Sequence, residues 1–150
     1  MNAFPLTVPD NLDDPAVIRE HDWQAFSTLT HMASHWNRPG WTDGRGSYHW
    51  LLNFGHAASV RQLAQQCQAQ LDKQAFDLVP LDSLHVTLGQ VGFTDEIDKA
   101  TALAVANEAG PRCAELPPFR LTVGPLAGSR GALRFTVAPW TSLLAPTSCV

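Results

Sequence analysis

The chain has 150 residues, with ten Lys and Arg against fourteen Asp and Glu and a formal charge of −4. That length fits one compact domain, or two small lobes sharing a core; a hydrophobic share of 45% excludes wholesale disorder, and the acidic balance argues against a protein that coats DNA or RNA non-specifically. Three cysteines with no CxxC spacing give neither a disulfide framework nor a zinc knuckle. Met1 to Pro5 lack the basic and apolar regions of a secretory leader. The longest charge-free run, Phe135 to Val150, is interrupted by Pro139 and Pro146 and is too short to span a membrane. A cytoplasmic protein with no membrane partner is the expectation.

Residues 1–14, rich in Pro, Asp and Asn, read as an irregular arm. From Pro15, Ile18, Asp22, Phe26, Leu29, Ala33 and Trp36 recur near one helical face, with Asp13 or Asp14 as N-cap. This predicts a helix running to Arg38-Pro39-Gly40, then a loop over 37–47. Tyr48 to Phe54 alternates as a strand, with Tyr48, Trp50, Leu52 and Phe54 on one face and His49, Leu51 and Asn53 on the other. Ser59-Val60-Arg61-Gln62 has the form of a capping box. It opens a helix with the stripe Val60, Leu63, Ala64, Cys67 and Leu71. Pro80 and Asp82 turn the chain into a second strand, Leu84 to Val91, closed by Gly92. Thr94-Asp95-Glu96 is expected to start a third helix and Gly110-Pro111 to end it. Phe119 to Val123 and Leu133 to Val137 flank Gly128-Ser129-Arg130-Gly131 as a hairpin. The order α, β, α, β, α, β, β gives the α+β class, with a mixed, mostly antiparallel sheet and flanking helices. The domain is expected over 15–139, with 140–150 a disordered tail.

Chemistry concentrates in Asp82-Ser83-Leu84-His85-Val86-Thr87-Leu88-Gly89. Strand alternation puts His85 and Thr87 on one face and Leu84, Val86 and Leu88 on the core side. An imidazole can pass a proton near neutrality, and a hydroxyl about 6.5–7 Å along the strand can hold an anionic oxygen. By itself a His-x-Thr pair is common surface decoration. Other features carry less. His31 and His35 lie four apart on the expected helix but lack an intervening Glu and a third ligand, so no metal is expected. Gly40 to Gly46 does not match a phosphate loop. Most of the eight arginines read as solvated surface; Arg45, beside the first strand, is a candidate for lining a cleft, as are Tyr48 and His49. The tryptophans read chiefly as packing.

The block Leu84-His85-Val86-Thr87-Leu88, with Pro80-Leu81-Asp82 before it and Val91-Gly92-Phe93-Thr94-Asp95-Glu96 after it, resembles the first signature of the two-histidine phosphoesterases. The runs His35-Trp36-Asn37-Arg38-Pro39-Gly40-Trp41, Gly44-Arg45, Tyr48-His49-Trp50 and Pro118-Phe119-Arg120-Leu121-Thr122-Val123-Gly124-Pro125 look like the bacterial 2′-5′ RNA ligase-like branch. Together these blocks cover about residues 20 to 139. The resemblance implies a bilobal α+β fold with two His-x-Thr/Ser motifs facing each other. In that family the two histidines act as general base and acid on a 2′,3′-cyclic phosphate or 2′-5′ phosphodiester, and the two hydroxyls hold phosphate oxygens. It implies His85 as catalytic, Thr87 as phosphate-binding, no cofactor, and an RNA end or small nucleotide as partner.

Of the six histidines, only His85 has Ser or Thr two residues on. The chain therefore reads as cut off before the second half-site, and low phosphodiesterase activity is expected. Two other readings stand beside the enzyme: a catalytically defective remnant that binds a nucleotide phosphate or a partner chain, and an interaction module that uses the apolar surface a missing lobe would leave uncovered; an uncovered sheet edge would also permit self-association.

Overall fold

The computed structural model describes residues 4–145. The order of elements is α1 (Pro15–Ser27), β1 (Ser47–Asn53), α2 (Ala58–Gln68), a 3₁₀ turn at Leu81–Ser83, β2 (His85–Phe93), α3 (Lys99–Ala114), β3 (Thr122–Gly128), β4 (Leu133–Ala138) and α4 (Trp140–Leu144). The class is α+β. The described strands form two separate two-stranded sheets, β1–β2 and β3–β4, rather than the single sheet expected. The chain divides into two compact units, Ser47–Gly92 and the remainder on either side of it.

In the larger unit, the Asp14 side chain accepts from Ala16 N at 2.8 Å and Pro15 opens α1. The helix ends at Ser27, well short of the Arg38 expected. Ser27 Oγ and Thr28 Oγ1 donate back to Gln24 O and Ala25 O, and these local bonds compete with helix continuation. With no helix at 31–35, the four-residue spacing of His31 and His35 loses its meaning as a chelating pair.

β3 and β4 pair antiparallel, Val123 opposite Val137 and Ala127 opposite Arg134, with a register shift between Val123 and Leu126. β3 begins at Thr122, not Phe119. Ser129 N and Oγ both donate to Ala132 O and close the hairpin turn. This hairpin packs on α1. Ile18 and Asp22 are wholly buried on α1, and Gly128 lies so close to the Phe26 ring that a Cβ there would sit 2.3 Å from it. Arg134 donates both terminal nitrogens to Asp22 at 2.9 and 3.0 Å, and Thr136 Oγ1 donates to the same carboxylate at 2.8 Å.

α3 starts at Lys99 rather than Thr94. The Asp98 side chain accepts from Thr101 N at 2.7 Å as its N-cap, while Phe93 O takes the amides of Glu96 and Ile97 in a preceding turn. The helix also runs through Gly110-Pro111 to Ala114. Proline lacks one donor, and in the last turn that costs a single bond to the Asn107 carbonyl instead of the helix.

The expected disordered tail opens with α4 instead. Trp140 N donates to Leu12 O, Trp140 Nε1 donates to Val137 O, Thr141 Oγ1 donates to Asp13, and Leu143 is buried. The rest of the expected tail, 146–150, lies outside the described residues. Among the described residues no helix is long and apolar enough to cross a membrane.

In the smaller unit, α2 begins one residue ahead of the expected capping box. Ala57 occupies the N-cap and Ser59 sits inside the helix, because Ala57 N bonds Phe54 O and Arg61 N bonds Ala57 O. The stripe of Val60, Leu63, Ala64, Cys67 and Leu71 is the less exposed face, with Ala64 buried. The β1–β2 pair is antiparallel, since Phe54 N bonds Leu84 O at one end and Thr94 N bonds Gly46 O at the other.

Candidate active site

The site is built on the start of β2. Gly55 follows β1 and presses on the 3₁₀ turn; a Cβ there would lie 2.1 Å from Asp82 O. Only glycine permits this approach, and it sets the turn that delivers Ser83 and His85. Gly55 N also donates to Asn53 Oδ1 at 2.7 Å, which fixes that carboxamide.

His85 and Thr87 are exposed, while Leu84, Val86 and Leu88 alternate with them as half-buried residues. The apolar trio is thus less deeply covered than a core strand would be. The His85 Nδ1 lies 2.7 Å from Ser83 O. A carbonyl only accepts, so Nδ1 carries the hydrogen, and the neutral ring holds its lone pair on Nε2. One backbone contact therefore sets both the orientation of the ring and the nitrogen able to take a proton.

Asn53 and Leu51 come from the neighbouring strand. The Phe54–Leu84 bond places Asn53 across from His85, so these two side chains share one face. Asn53 and Leu51 are exposed, as are His85 and Thr87. With its oxygen engaged by Gly55, Asn53 presents its NH₂ group, a donor for an anionic oxygen beside the imidazole. The sequence does not single out Asn53, because its place opposite His85 depends on a strand register that spacing alone does not give. On β1, alternation puts His49 on the Asn53 face and Tyr48 on the opposite face with Trp50 and Leu52.

Arg45 belongs to the other unit, and its donors are spent. Nε donates to both Asp95 oxygens at 2.9 and 3.0 Å, Nη2 to Glu96 at 2.7 Å and Nη1 to Gly40 O, while Cζ lies 3.6 Å from the Phe93 ring centre. The hydrogen bond from Arg45 draws the Asp95 carboxyl below the usual carboxylate range, and the same bond raises the guanidinium. Thr101 N likewise lowers Asp98. Arg45 therefore pins the segment from Phe93 to Glu96 to the loop around Gly40.

Among the described residues no group of three or more His, Cys, Asp or Glu gathers to hold a metal. Cys67 and Cys113 are free thiols. Residues 55–127, which carry the turn, His85 and Thr87, match the family described as LigT like Phosphoesterase. No curated protein and no solved structure gives a significant match.

Proposed function

We propose, from the match of residues 55–127 to the LigT-like phosphoesterases of the two-histidine superfamily, that the chain acts on RNA-end phosphates, His85 serving as acid-base group and Thr87 as phosphate holder. The observation that carries this reading is the bond from His85 Nδ1 to Ser83 O, which leaves Nε2 as the basic atom. In hydrolysis of a 2′,3′-cyclic phosphate, Nε2 takes the proton of the attacking water while Thr87 Oγ1 donates to a non-bridging oxygen. The Asn53 NH₂ group adds a second donor on the same face. Charge builds on those oxygens in the transition state, so donors fixed beforehand lower the barrier.

The leaving ribose oxygen needs a proton as well, and the sequence holds a single His-x-Thr. One imidazole fills one role at a time. This favours a second reading for the isolated chain, phosphate binding with slow turnover, because an absent acid costs about 10²–10⁴ in rate.

The test is hydrolysis of a 2′,3′-cyclic nucleotide by the purified chain over a range of concentrations. Whatever rate is present should fall by about 10²–10⁴ in His85→Ala and by less in Thr87→Ala. Unchanged turnover in His85→Ala would reject the assignment. Fast, concentration-independent turnover by the parent chain would reject the second reading.

A further inference from the structure

A string of rings in the larger unit is used by neither the core nor the phosphoesterase reading. Trp36 lies 5.6 Å from Trp41, and Trp41 lies 5.5 Å from Phe93. Two arginines lie on this string. Arg45 covers Phe93 and is neutralised by Asp95 and Glu96. Arg38 covers Trp41 at 4.6 Å and approaches Trp36 at 6.0 Å, yet among the described residues its guanidinium has no hydrogen bond and no ion pair. Its Nε is buried without a partner. Trp36 is 63% exposed, in a chain where most described aromatic residues are at least half covered.

A guanidinium held by packing and left without an acceptor is prepared for an anion; ordering it has already been accomplished by the tryptophans. A wide exposed indole beside it is a platform for a flat ring. A sugar would use the indole and leave the guanidinium idle, and an acidic peptide would do the reverse. A nucleotide satisfies both. The backbone of the hairpin turn borders this loop, since Ala33 N bonds Arg130 O at 2.7 Å.

We propose that Trp36 and Arg38 form a nucleotide-binding subsite, with the base stacked on the indole and the phosphate held by the guanidinium. This is a statement about binding and does not depend on hydrolysis at His85.

The experiment measures binding of adenosine 5′-monophosphate, adenosine and ribose 5-phosphate by equilibrium dialysis. It uses the full chain carrying His85→Ala and Thr87→Ala, so that no signal arises from those residues. Adenosine 5′-monophosphate should bind more tightly than either fragment. Trp36→Ala should weaken the nucleotide and adenosine by about five- to hundredfold, and Trp36→Phe should restore most of the loss. Arg38→Gln should weaken the nucleotide by about ten- to hundredfold and leave adenosine unchanged. Circular dichroism matching the parent confirms that each variant is folded, as expected for a residue as exposed as Trp36. Absence of nucleotide binding, equal affinity in Trp36→Ala, or equal losses for nucleotide and adenosine in Arg38→Gln would overturn the proposal. None of these outcomes bears on turnover at His85, so the two readings fail separately.

Discussion

β4 and β2 each carry two polar side chains two residues apart, Arg134 and Thr136 on one, His85 and Thr87 on the other, and the two pairs meet opposite fates. On β4 both are spent on Asp22, a carboxylate wholly buried on α1, and Thr136 is buried with it. On β2 both stay exposed, and the bond that His85 does make leaves Nε2 and the Thr87 hydroxyl for a ligand. Alternating polar residues on a strand are therefore structural where the packed helix supplies a charge, and chemically available where it does not.

The strongest way to break this contrast is to remove the charge. Asp22→Ala leaves Arg134 and Thr136 facing a helix that no longer answers them, and should cost about 3–5 kcal/mol, enough to unfold a marginal domain. Replacing the whole cluster, Asp22→Leu with Arg134→Met and Thr136→Val, should recover most of that loss, since no charge is then stranded. His85→Ala should stay within about 0.5 kcal/mol of the parent. Urea denaturation compares all three, and equal losses in Asp22→Ala and His85→Ala would erase the distinction.

The same pair of strands marks where the sequence is legible. Alternation alone gives the faces of Leu133 to Val137, but the hydrophobic pattern points the wrong set inward: Thr136 and Ala138 are buried while Leu133, Phe135 and Val137 are half exposed. What reverses it is Asp22, 112 residues from Arg134 in the chain. For His85 and Thr87 the alternation needs no distant partner, and Pro80 and Gly92 bracket the strand, so their shared face is readable. Asn53 escapes notice because register is set by Phe54 and Leu84 in the folded pair. Arg45 reads as a cleft candidate because Asp95 and Glu96, fifty residues on, are invisible to local spacing. The early end of α1 had a local signal in Ser27, Thr28 and Thr30, three side chains able to bond their own backbone. The apolar stripe of Leu29, Ala33 and Trp36 continues past them at helical spacing and masks that signal.

Two glycines sharpen the comparison further. Gly55 supports the exposed ribbon and Gly128 the packed hairpin, but an added Cβ meets a backbone carbonyl at the first and an aromatic ring edge at the second. Backbone cannot step aside; a ring can turn. Gly55→Ala should cost about 3 kcal/mol and Gly128→Ala about 1–2 kcal/mol. Amide exchange should localise the first to β1, β2 and the Leu81–Ser83 turn, and the second to α1 and the hairpin. The first should also displace Ser83 and so free the His85 ring, visible as a changed imidazole resonance. If Gly128→Ala proves the costlier, the exposed ribbon tolerates more movement than its close approach indicates.

The smallest effect is electrostatic and concerns the arginine that is neutralised at the surface. Asp95 and Asp98 hold their carboxyls below the usual range, through Arg45 and through Thr101 N respectively. A carboxyl whose folded value is depressed contributes stability that is complete above its unfolded value and is lost as pH falls through its folded value. The loss therefore falls on the acid side, below about pH 4, and neutral solutions show none of it. In Arg45→Gln the Asp95 titration, followed by carboxyl NMR, should return to the ordinary range while Asp98 keeps its depressed value, because its cause is a backbone amide. High salt should shrink the Asp95 displacement in the parent, both partners being close to solvent. Parallel movement of both carboxyls in Arg45→Gln would mean that the arginine acts by holding the whole Phe93–Thr101 segment, and not by its bond to Asp95 alone.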